Sequence, residues 1–169
     1  MVKKQRVYSI LFCGVGGQGV LKASEVCGWA ALMGGFHVKK SEVHGMAQRG
    51  GSVESHLRFG DRVLSPLIPK GKVDFLVAFH KDELKRLKSF MKKGGVDFSF
   101  ALDKAETELS DRRFLNTYMI GVLSLHLPIR EKHWLRALNI VFGDRFFSKN
   151  KEIFLKARKY FSGYQGGEQ

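Results

Sequence analysis

A glycine-rich loop near the start of the chain, residues 14–19, has the composition of a phosphate-binding turn. Its sequence, GVGGQG, has the spacing G-x-G-x-x-G. Because glycine has no Cβ, backbone N–H groups can approach an anion closely, and a helix that begins at the loop adds the positive end of its dipole. The candidate ligand-binding residues of this glycine loop are Gly14, Gly16, Gly17, Gln18 and Gly19. The alternative is that these glycines only make a tight turn.

A second candidate site lies in residues 41–51, SEVHGMAQRGG, which show no periodicity and include three glycines. His44 offers a hydrogen-bond donor or a proton shuttle, and Arg49 offers a planar guanidinium that can bind an anion through two hydrogen bonds. Both are candidate catalytic residues, and the candidate cofactor-binding residues here are Gln48, Arg49, Gly50 and Gly51. The alternative is structural: His44 bonds a backbone carbonyl and Arg49 forms an ion pair.

The elements that must position these two segments alternate between strand and helix. Residues 6–13 are almost continuously apolar, which is typical of a buried central strand. The small residues within 19–33 recur at helical spacing, and residues 37–42 form a second strand. Strand, glycine loop, helix and strand together predict a Rossmann-like opening. Residues 52–59 alternate strictly and predict a strand that is half exposed or lines a polar site.

The rest of the chain predicts a mixed sheet followed by helices. The predicted elements are a hairpin turn at Gly60-Asp61 into a strand at 62–65, a buried strand at 73–79, a helix at 81–90 ended by Gly94-Gly95, a short strand through Val96, Phe98 and Phe100, and helices at 114–127, 131–142 and 150–161. Residues 101–113 have no clear pattern. We therefore predict a three-layer α/β/α fold with a mixed, mostly parallel sheet, a Rossmann-like opening and C-terminal helices, in one domain over residues 1–169 with its core at about 6–162.

The composition limits the possible classes of protein. The chain has 169 residues, 44% of them hydrophobic, and two cysteines, Cys13 and Cys27, in apolar stretches. Without a Cys-x-x-Cys motif or a Cys/His cluster, neither an iron–sulfur nor a zinc site is expected in this chain. No apolar run approaches the roughly 18 residues of a membrane span, and no secretory cleavage site is evident. We expect a cytoplasmic protein with no membrane partner.

The net charge of +13 raises the question of an acidic partner, which could be nucleic acid, an anionic cofactor or an acidic protein. The basic residues are mostly spaced as on solvated helix faces. The sequence has neither a helix-turn-helix pattern nor aromatic residues interleaved on an obvious strand platform. We therefore expect no nucleic-acid partner.

A dinucleotide-binding function needs more than the glycine loop. It also requires an acidic residue about 20 positions further on, at the end of the second strand, and Glu42 lies near that place. The chain then continues into a second glycine segment and a hairpin rather than a third parallel strand. Its length also leaves little room for a substrate domain. We therefore expect the chain to bind no NAD and no metal on its own.

Several segments in one order closely resemble the small subunit of the 2-oxoacid:ferredoxin oxidoreductases, a beta- or gamma-type subunit. They are GVGGQG at 14–19, SEVHGMAQRGG at 41–51, SVESHLRF at 52–59 and SPLIP at 65–69. Within this family, the second segment is most similar to the indolepyruvate:ferredoxin oxidoreductases. The resemblance is strong over residues 6–95 and weaker beyond.

This resemblance implies a pyruvate/ketoisovalerate oxidoreductase gamma-type domain in a multi-subunit enzyme. A large catalytic partner subunit would hold thiamine diphosphate and the iron–sulfur clusters, and the electrons would reach ferredoxin indirectly. The reaction implied is the oxidative decarboxylation of a 2-oxo acid, with coenzyme A taking the acyl group. The small subunit would be inactive alone and would bind no cofactor by itself. Its candidates for the active-site edge and coenzyme A phosphates are Gln18, His44, Gln48 and Arg49.

A different class of function is a stand-alone regulatory domain that binds a nucleotide or coenzyme A through the glycine loop. Such a domain would work as a monomer without a partner. A subunit, in contrast, should expose an apolar patch and bind a large chain.

Overall fold

The computed structural model describes residues 6–45 and 50–164, in which five strands form one mixed sheet. The strands are β1 (Val7–Val15), β2 (His37–His44), β3 (Ser52–Gly60), β4 (Val73–Ala78) and β5 (Met91–Asp97). Their order across the sheet is β2-β3-β1-β4-β5. Strand β3 runs antiparallel to both of its neighbours, so the other four strands share one direction. The predicted mixed, mostly parallel sheet is confirmed.

Helices cover both faces of the sheet, which confirms the predicted three-layer α/β/α fold. They are α1 (Val20–Met33), α2 (Lys81–Leu87), α3 (Ser99–Glu108), α4 (Leu115–Leu123), α5 (Glu131–Phe142) and α6 (Asp144–Phe161). The larger core joins α1 and α3–α6 to one face, while α2 and the segment after β3 cover the other face around a smaller core. Within the described residues, no helix is long and apolar enough to cross a lipid bilayer.

The apolar run that predicted a central strand forms β1. Ile10, Leu11, Phe12 and Cys13 are completely buried, because successive side chains point into the two cores on opposite faces. Strand β1 pairs with β3 on one side and with β4 on the other. Its C-terminal end therefore leads directly into the glycine loop and α1.

The Rossmann-like opening differs from a simple strand–helix–strand unit in one respect. Strands β1 and β2 are parallel and joined through α1, as predicted, but β3 lies between them. The reason is that β3, the next strand along the chain, pairs antiparallel with the whole of β2, from the pair His37 and Gly60 to the pair His44 and Val53. The insertion moves β2 to the edge of the sheet.

The predicted strand at 62–65 is wrong, because this segment crosses the polar face of β3 as a loop. Arg58 donates a hydrogen bond to the carbonyl of Ser65 at 3.1 Å, and the Nδ1 atom of His56 accepts one from the N–H of Ile68 at 3.1 Å. The side chains of Arg58 and His56 thus form hydrogen bonds with backbone C=O and N–H groups that would pair with a neighbouring strand if this segment were a strand. The polar face of β3 is thus covered and not half exposed.

The other differences concern element boundaries. The glycines Gly94 and Gly95 lie inside β5 and do not end the preceding helix, and Phe98 and Phe100 lie beyond the strand. The unassigned segment at 101–113 is mostly α3, and the last helix begins at Asp144 rather than at 150. A helix at 131–142 is confirmed in full.

The close packing of α4 against α6 gives a test of the fold. A Cβ added at Gly121 would lie 2.7 Å from the carbonyl oxygen of Phe154 and 2.9 Å from Cβ of Ala157, both too close. We predict that Gly121→Ala lowers the free energy of unfolding by about 1–3 kcal/mol. Urea denaturation followed by circular dichroism measures this value.

Gly28→Ala in α1 is the matched control. Its added Cβ would make ordinary contacts, the nearest being 3.6 Å from Leu57. Because alanine favours a helix more than glycine does, this variant should be as stable as the parent or more stable by up to about 1 kcal/mol. Equal stability of both variants would contradict the packing of α4 on α6.

Candidate functional site

The glycine loop turns sharply from the end of β1 into α1. Gly17 and Gly19 have φ angles of 93° and 77°, a region that residues with a Cβ rarely adopt. Gly19 is the N-cap of α1, and the first N–H groups of an α-helix have no acceptor within the helix. Together with the helix dipole, these groups make the N-terminus of α1 a place for an anion. The turn therefore requires glycine at positions 17 and 19, and it leaves the first N–H groups of α1 without an acceptor inside the helix.

Gln18 braces the loop, and it also lines the cleft beside the loop. Its Oε1 atom accepts a hydrogen bond from the N–H of Val15 at 2.9 Å, and its Nε2 atom donates one to the carbonyl of Phe79 at 2.9 Å. The side chain thus connects the ends of β1 and β4. Gly14 allows this arrangement, because a Cβ there would lie 2.7 Å from Gln18 Oε1. The Oε1 and Nε2 atoms of this predicted ligand-binding side chain are thus both hydrogen-bonded within the protein.

The structure brings the second glycine segment against the first. The N–H of Gly16 donates to the carbonyl of Gly51 at 3.0 Å, and Gly50 has a φ of 66°. His44 lies at the end of β2, with its Nε2 atom 3.6 Å from a carboxylate oxygen of Glu42 and its side chain 57% exposed. Gln48 and Arg49 lie outside the described residues.

An open cleft of about 550 Å³ lies beside the glycine loop, on the α1 face of the sheet. The loop and the start of α1 form one wall, and His44 and Val53 from the neighbouring strands form another. The cleft also includes residues that the sequence patterns did not single out, from the segment before α4, from α4 itself and from α5: Arg112, Arg113, Asn116 and Phe142.

Cationic side chains surround this cleft. Lys22 lies on the first turn of α1, and Arg112 and Arg113 come from the segment before α4. Arg113 contacts Asp111 at 2.7 Å, and this guanidinium holds the pKa of the Asp111 carboxyl below its usual range. A helix N-terminus with additional cations favours a phosphate or a carboxylate. The cleft can therefore bind an anionic ligand, and it contains no arrangement of nucleophile and base within the described residues.

Asn116 joins α4 to the glycine loop. Its Nδ2 atom is 3.4 Å from the carbonyl oxygen of Gly19, and its Oδ1 atom accepts from the N–H of Thr117 at 2.8 Å. A side chain at Gly19 would collide with this amide. No local pattern could have predicted this contact, because 97 residues separate its partners in the sequence.

Glu42 does not take the position of a ribose-binding acid. With β3 inserted between β1 and β2, Glu42 lies two strands from the glycine loop, at about 4.8 Å per strand. Its carboxylate contacts Lys40 at 2.8 Å, and this hydrogen bond lowers the pKa of Glu42. Glu42 is therefore not next to the glycine loop, where a ribose-binding acid of a dinucleotide fold would lie.

A second polar cluster lies on the opposite face of the sheet, below α2. Arg86 contacts Glu54 at 2.8 Å and Glu83 at 2.6 Å, and Glu83 also accepts from the hydroxyl of Ser52 at 2.7 Å. Hydrogen bonds from His56 and Arg86 hold the pKa of Glu54 below its usual range. Burial works to raise the pKa of Glu83, but the bonds from Arg86 and Ser52 outweigh it. The cluster fixes the start of β3, and hence Gly51 beside it.

The two cysteines do not form a metal site. Both thiols are free and buried, and burial raises the pKa of each, so they remain neutral. Cys13 belongs to the core on one face of the sheet and Cys27 to the core on the other. Among residues 6–45 and 50–164, no group of three His, Cys, Asp or Glu side chains could hold a metal ion.

Comparison with known proteins places both glycine segments in one family. Residues 9–101 match the family described as pyruvate ferredoxin/flavodoxin oxidoreductase. Over 94 residues the chain is 48% identical to the indolepyruvate oxidoreductase subunit IorB of Pyrococcus horikoshii, a match that covers 56% of this chain and 46% of that protein. The chain thus spans about half the length of this relative.

Two solved structures share the fold at low sequence identity. The gamma subunit of a keto/oxoacid ferredoxin oxidoreductase from Geobacter sulfurreducens superposes with a TM-score of 0.75 at 19% identity, covering 93% of this chain and 99% of that one. The 2-oxoglutarate:ferredoxin oxidoreductase from Magnetococcus marinus gives a TM-score of 0.76 at 18% identity, covering 98% of this chain and 32% of that one.

The brace formed by Gln18 can be tested separately from ligand binding. Gln18→Leu removes two hydrogen bonds and leaves the Val15 N–H and the Phe79 carbonyl without these partners. We predict a loss of about 1–3 kcal/mol in the free energy of unfolding, measured by urea denaturation. Lys22→Leu, a substitution in the same cleft, removes an exposed charge and its contact with the Phe142 ring at 5.3 Å, and it should change stability by less than roughly 1 kcal/mol. A Gln18→Leu variant as stable as the parent would contradict a stabilising role for the brace.

Proposed function

Because the chain belongs to the pyruvate ferredoxin/flavodoxin oxidoreductase family, we propose that it is the small subunit of a 2-oxoacid:ferredoxin oxidoreductase that acts on arylpyruvates such as indolepyruvate. The observation that carries this proposal is the match of residues 9–101, which includes both glycine segments and the strands that hold them. The identity of 48% to an indolepyruvate oxidoreductase subunit supports the arylpyruvate substrate.

The proposal assigns the redox chemistry to a large partner subunit. That partner would hold thiamine diphosphate and the iron–sulfur clusters, and the complex would convert a 2-oxo acid and coenzyme A to acyl-CoA and CO2 while reducing ferredoxin. The described residues of this chain do not fit an iron–sulfur cluster, because its two cysteines lie buried on opposite faces of the sheet. A cytoplasmic location is part of the same proposal.

The contribution of this chain would be the cleft beside the glycine loop. The N-terminus of α1, Lys22 and Arg112 provide donors and charge for the phosphates of coenzyme A, and His44 lies at the rim of the same cleft. Gly50 and Gly51 follow Gln48 and Arg49 in the sequence, and the carbonyl of Gly51 accepts a hydrogen bond from the N–H of Gly16 in the glycine loop. The proposed roles of Gln48 and Arg49, contacts with the substrate carboxylate or coenzyme A, rest on the sequence.

A second candidate function is a stand-alone regulatory domain that binds a nucleotide or coenzyme A. The basic cleft favours it, since a cleft formed by one chain can bind an anion without a partner. A regulatory domain would bind its ligand without a partner, whereas a small subunit would support redox activity only in a complex. A reconstitution assay with the large partner subunit distinguishes the two functions.

Reconstitution tests the subunit function. We predict that the isolated chain reduces neither ferredoxin nor a viologen dye with indolepyruvate and coenzyme A. Activity should appear when the chain is mixed with a large partner subunit that carries thiamine diphosphate and the clusters. The control is the partner subunit alone, which should be much less active. Reduction by the isolated chain, or a partner that is fully active alone, would contradict the proposal.

Arg49→Ala tests the proposed role of the second glycine segment. Losing a charge-assisted contact should lower kcat/KM for the 2-oxo acid or coenzyme A about ten- to a hundredfold. Lysine at this position should restore activity only in part, because it supplies the charge without the planar fork. Stability and assembly should stay near those of the parent. The measurements are size exclusion of the complex and kinetics with each substrate varied in turn.

The two possible contrary results have different meanings. An Arg49→Ala complex with unchanged kinetics would make the segment structural. A variant that fails to assemble would place Arg49 at the subunit interface.

A further inference from the structure

Strand β2 is an open edge of the sheet, and it is long and regular. It pairs with β3 without a break from His37 to His44, and its other side has no strand partner among the described residues. Such an edge presents a row of backbone N–H and C=O groups to solvent. Proteins commonly protect edges of this kind with charged side chains, and β2 carries Lys39, Lys40 and Glu42.

The residues whose backbone groups face outward can be identified. The N–H of Gly45 donates to the carbonyl of Ser52 at 2.7 Å, in register with the β2–β3 ladder. In an antiparallel ladder, hydrogen-bonded pairs alternate with pairs whose backbone groups point away from the partner. The outward groups are therefore those of Val38, Lys40, Glu42 and His44.

The side chains of β2 favour one way of pairing with a second copy. An antiparallel, twofold-symmetric pairing centred on Ser41 places Lys40 of each copy opposite Glu42 of the other. Centres at Lys40 or at Glu42 would instead place like charges opposite each other, which is unfavourable. Within one copy the two charges already contact at 2.8 Å, so the pairing would create a ring of four alternating charges.

An apolar groove lies beside this edge on the α1 face. Trp29 and Leu32, with side chains exposed at 38% and 51%, line it together with Val38 and Lys40, and its volume is about 260 Å³. A twofold axis perpendicular to the sheet keeps α1 of both copies on the same side. The groove of one copy would then adjoin the groove of the other along the seam, which is how an isologous interface combines an apolar centre with a polar ladder.

We propose that the chain forms a symmetric dimer through β2, with the strands paired about Ser41 and the two sheets joined into one of ten strands. Complementary charge at Lys40 and Glu42 sets the register, and the exposed Trp29 and Leu32 add apolar contact across the seam. This interface shares β2 with the cleft at the glycine loop, because His44 at the end of the strand lines the rim of that cleft, but Lys40 and Glu42 do not line it. The interface does not depend on the proposed enzymatic function.

Charge reversal tests both the partner and the register. The full chain, Lys40→Glu, Glu42→Lys and the double variant Lys40→Glu/Glu42→Lys are compared by sedimentation equilibrium over a concentration series. In each single variant, positions 40 and 42 carry the same charge, and the symmetric pairing places them opposite each other at two points of the dimer. The dimer of each single variant should therefore be at least about tenfold weaker than that of the parent. The double variant restores opposite charges and should dimerise like the parent. An equimolar mixture of the two single variants should form a heterodimer, which native mass spectrometry detects.

Three results would overturn the proposal. They are a parent that stays monomeric throughout the series, single variants that dimerise as strongly as the parent, and a mixture that forms no heterodimer. If the parent is monomeric and Glu42→Lys also loses binding to the large partner subunit, the edge belongs to that partner. Circular dichroism shows whether the single variants fold, and if either does not, Trp29→Ala replaces it. That variant should weaken the dimer, and unchanged association would also overturn the proposal.

Discussion

The complete enclosure of β1 is the constraint on which the rest of the structure depends. Its central residues are buried on both faces, and its backbone is paired with β3 and β4 along both edges. A strand enclosed in this way can present groups to a ligand only where it ends. The glycine loop is that end, and it connects the buried core directly to the cleft.

The glycine loop keeps its shape because glycine leaves room where other groups pack closely against its backbone, and because internal hydrogen bonds hold it in place. Gly14 leaves room for the side chain of Gln18, and Gln18 in turn connects β1 to β4. Gly16 receives support from the second glycine segment through Gly51. The loop is therefore held on two sides before any ligand arrives, which lowers the entropic cost of binding an anion there.

The sequence allowed prediction of the features that depend on local pattern. The apolar run of β1, the glycine spacing after it and the helical periodicity of α5 each indicate an element within a few residues of where it lies. Features that depend on distant partners could not be predicted. Asn116 reaches Gly19 across 97 positions, and the loop after β3 forms because Arg58 and His56 bind its carbonyl and N–H groups. The two glycines of β5 resemble a helix end, so the local pattern predicts the end of a helix where a strand lies.

The insertion of β3 links the two surfaces for which we propose functions. By separating β2 from β1, it removes Glu42 from the glycine loop, where an acidic side chain would repel a phosphate, and places it on the outer edge beside Lys40. His44, at the end of the same strand, still reaches the rim of the cleft. One antiparallel strand thus leaves the cleft basic and gives the edge a balanced pair of charges. The two surfaces share β2, with Lys40 and Glu42 at the edge only two to four residues from His44 at the cleft. A change in the backbone of this strand would therefore affect both surfaces.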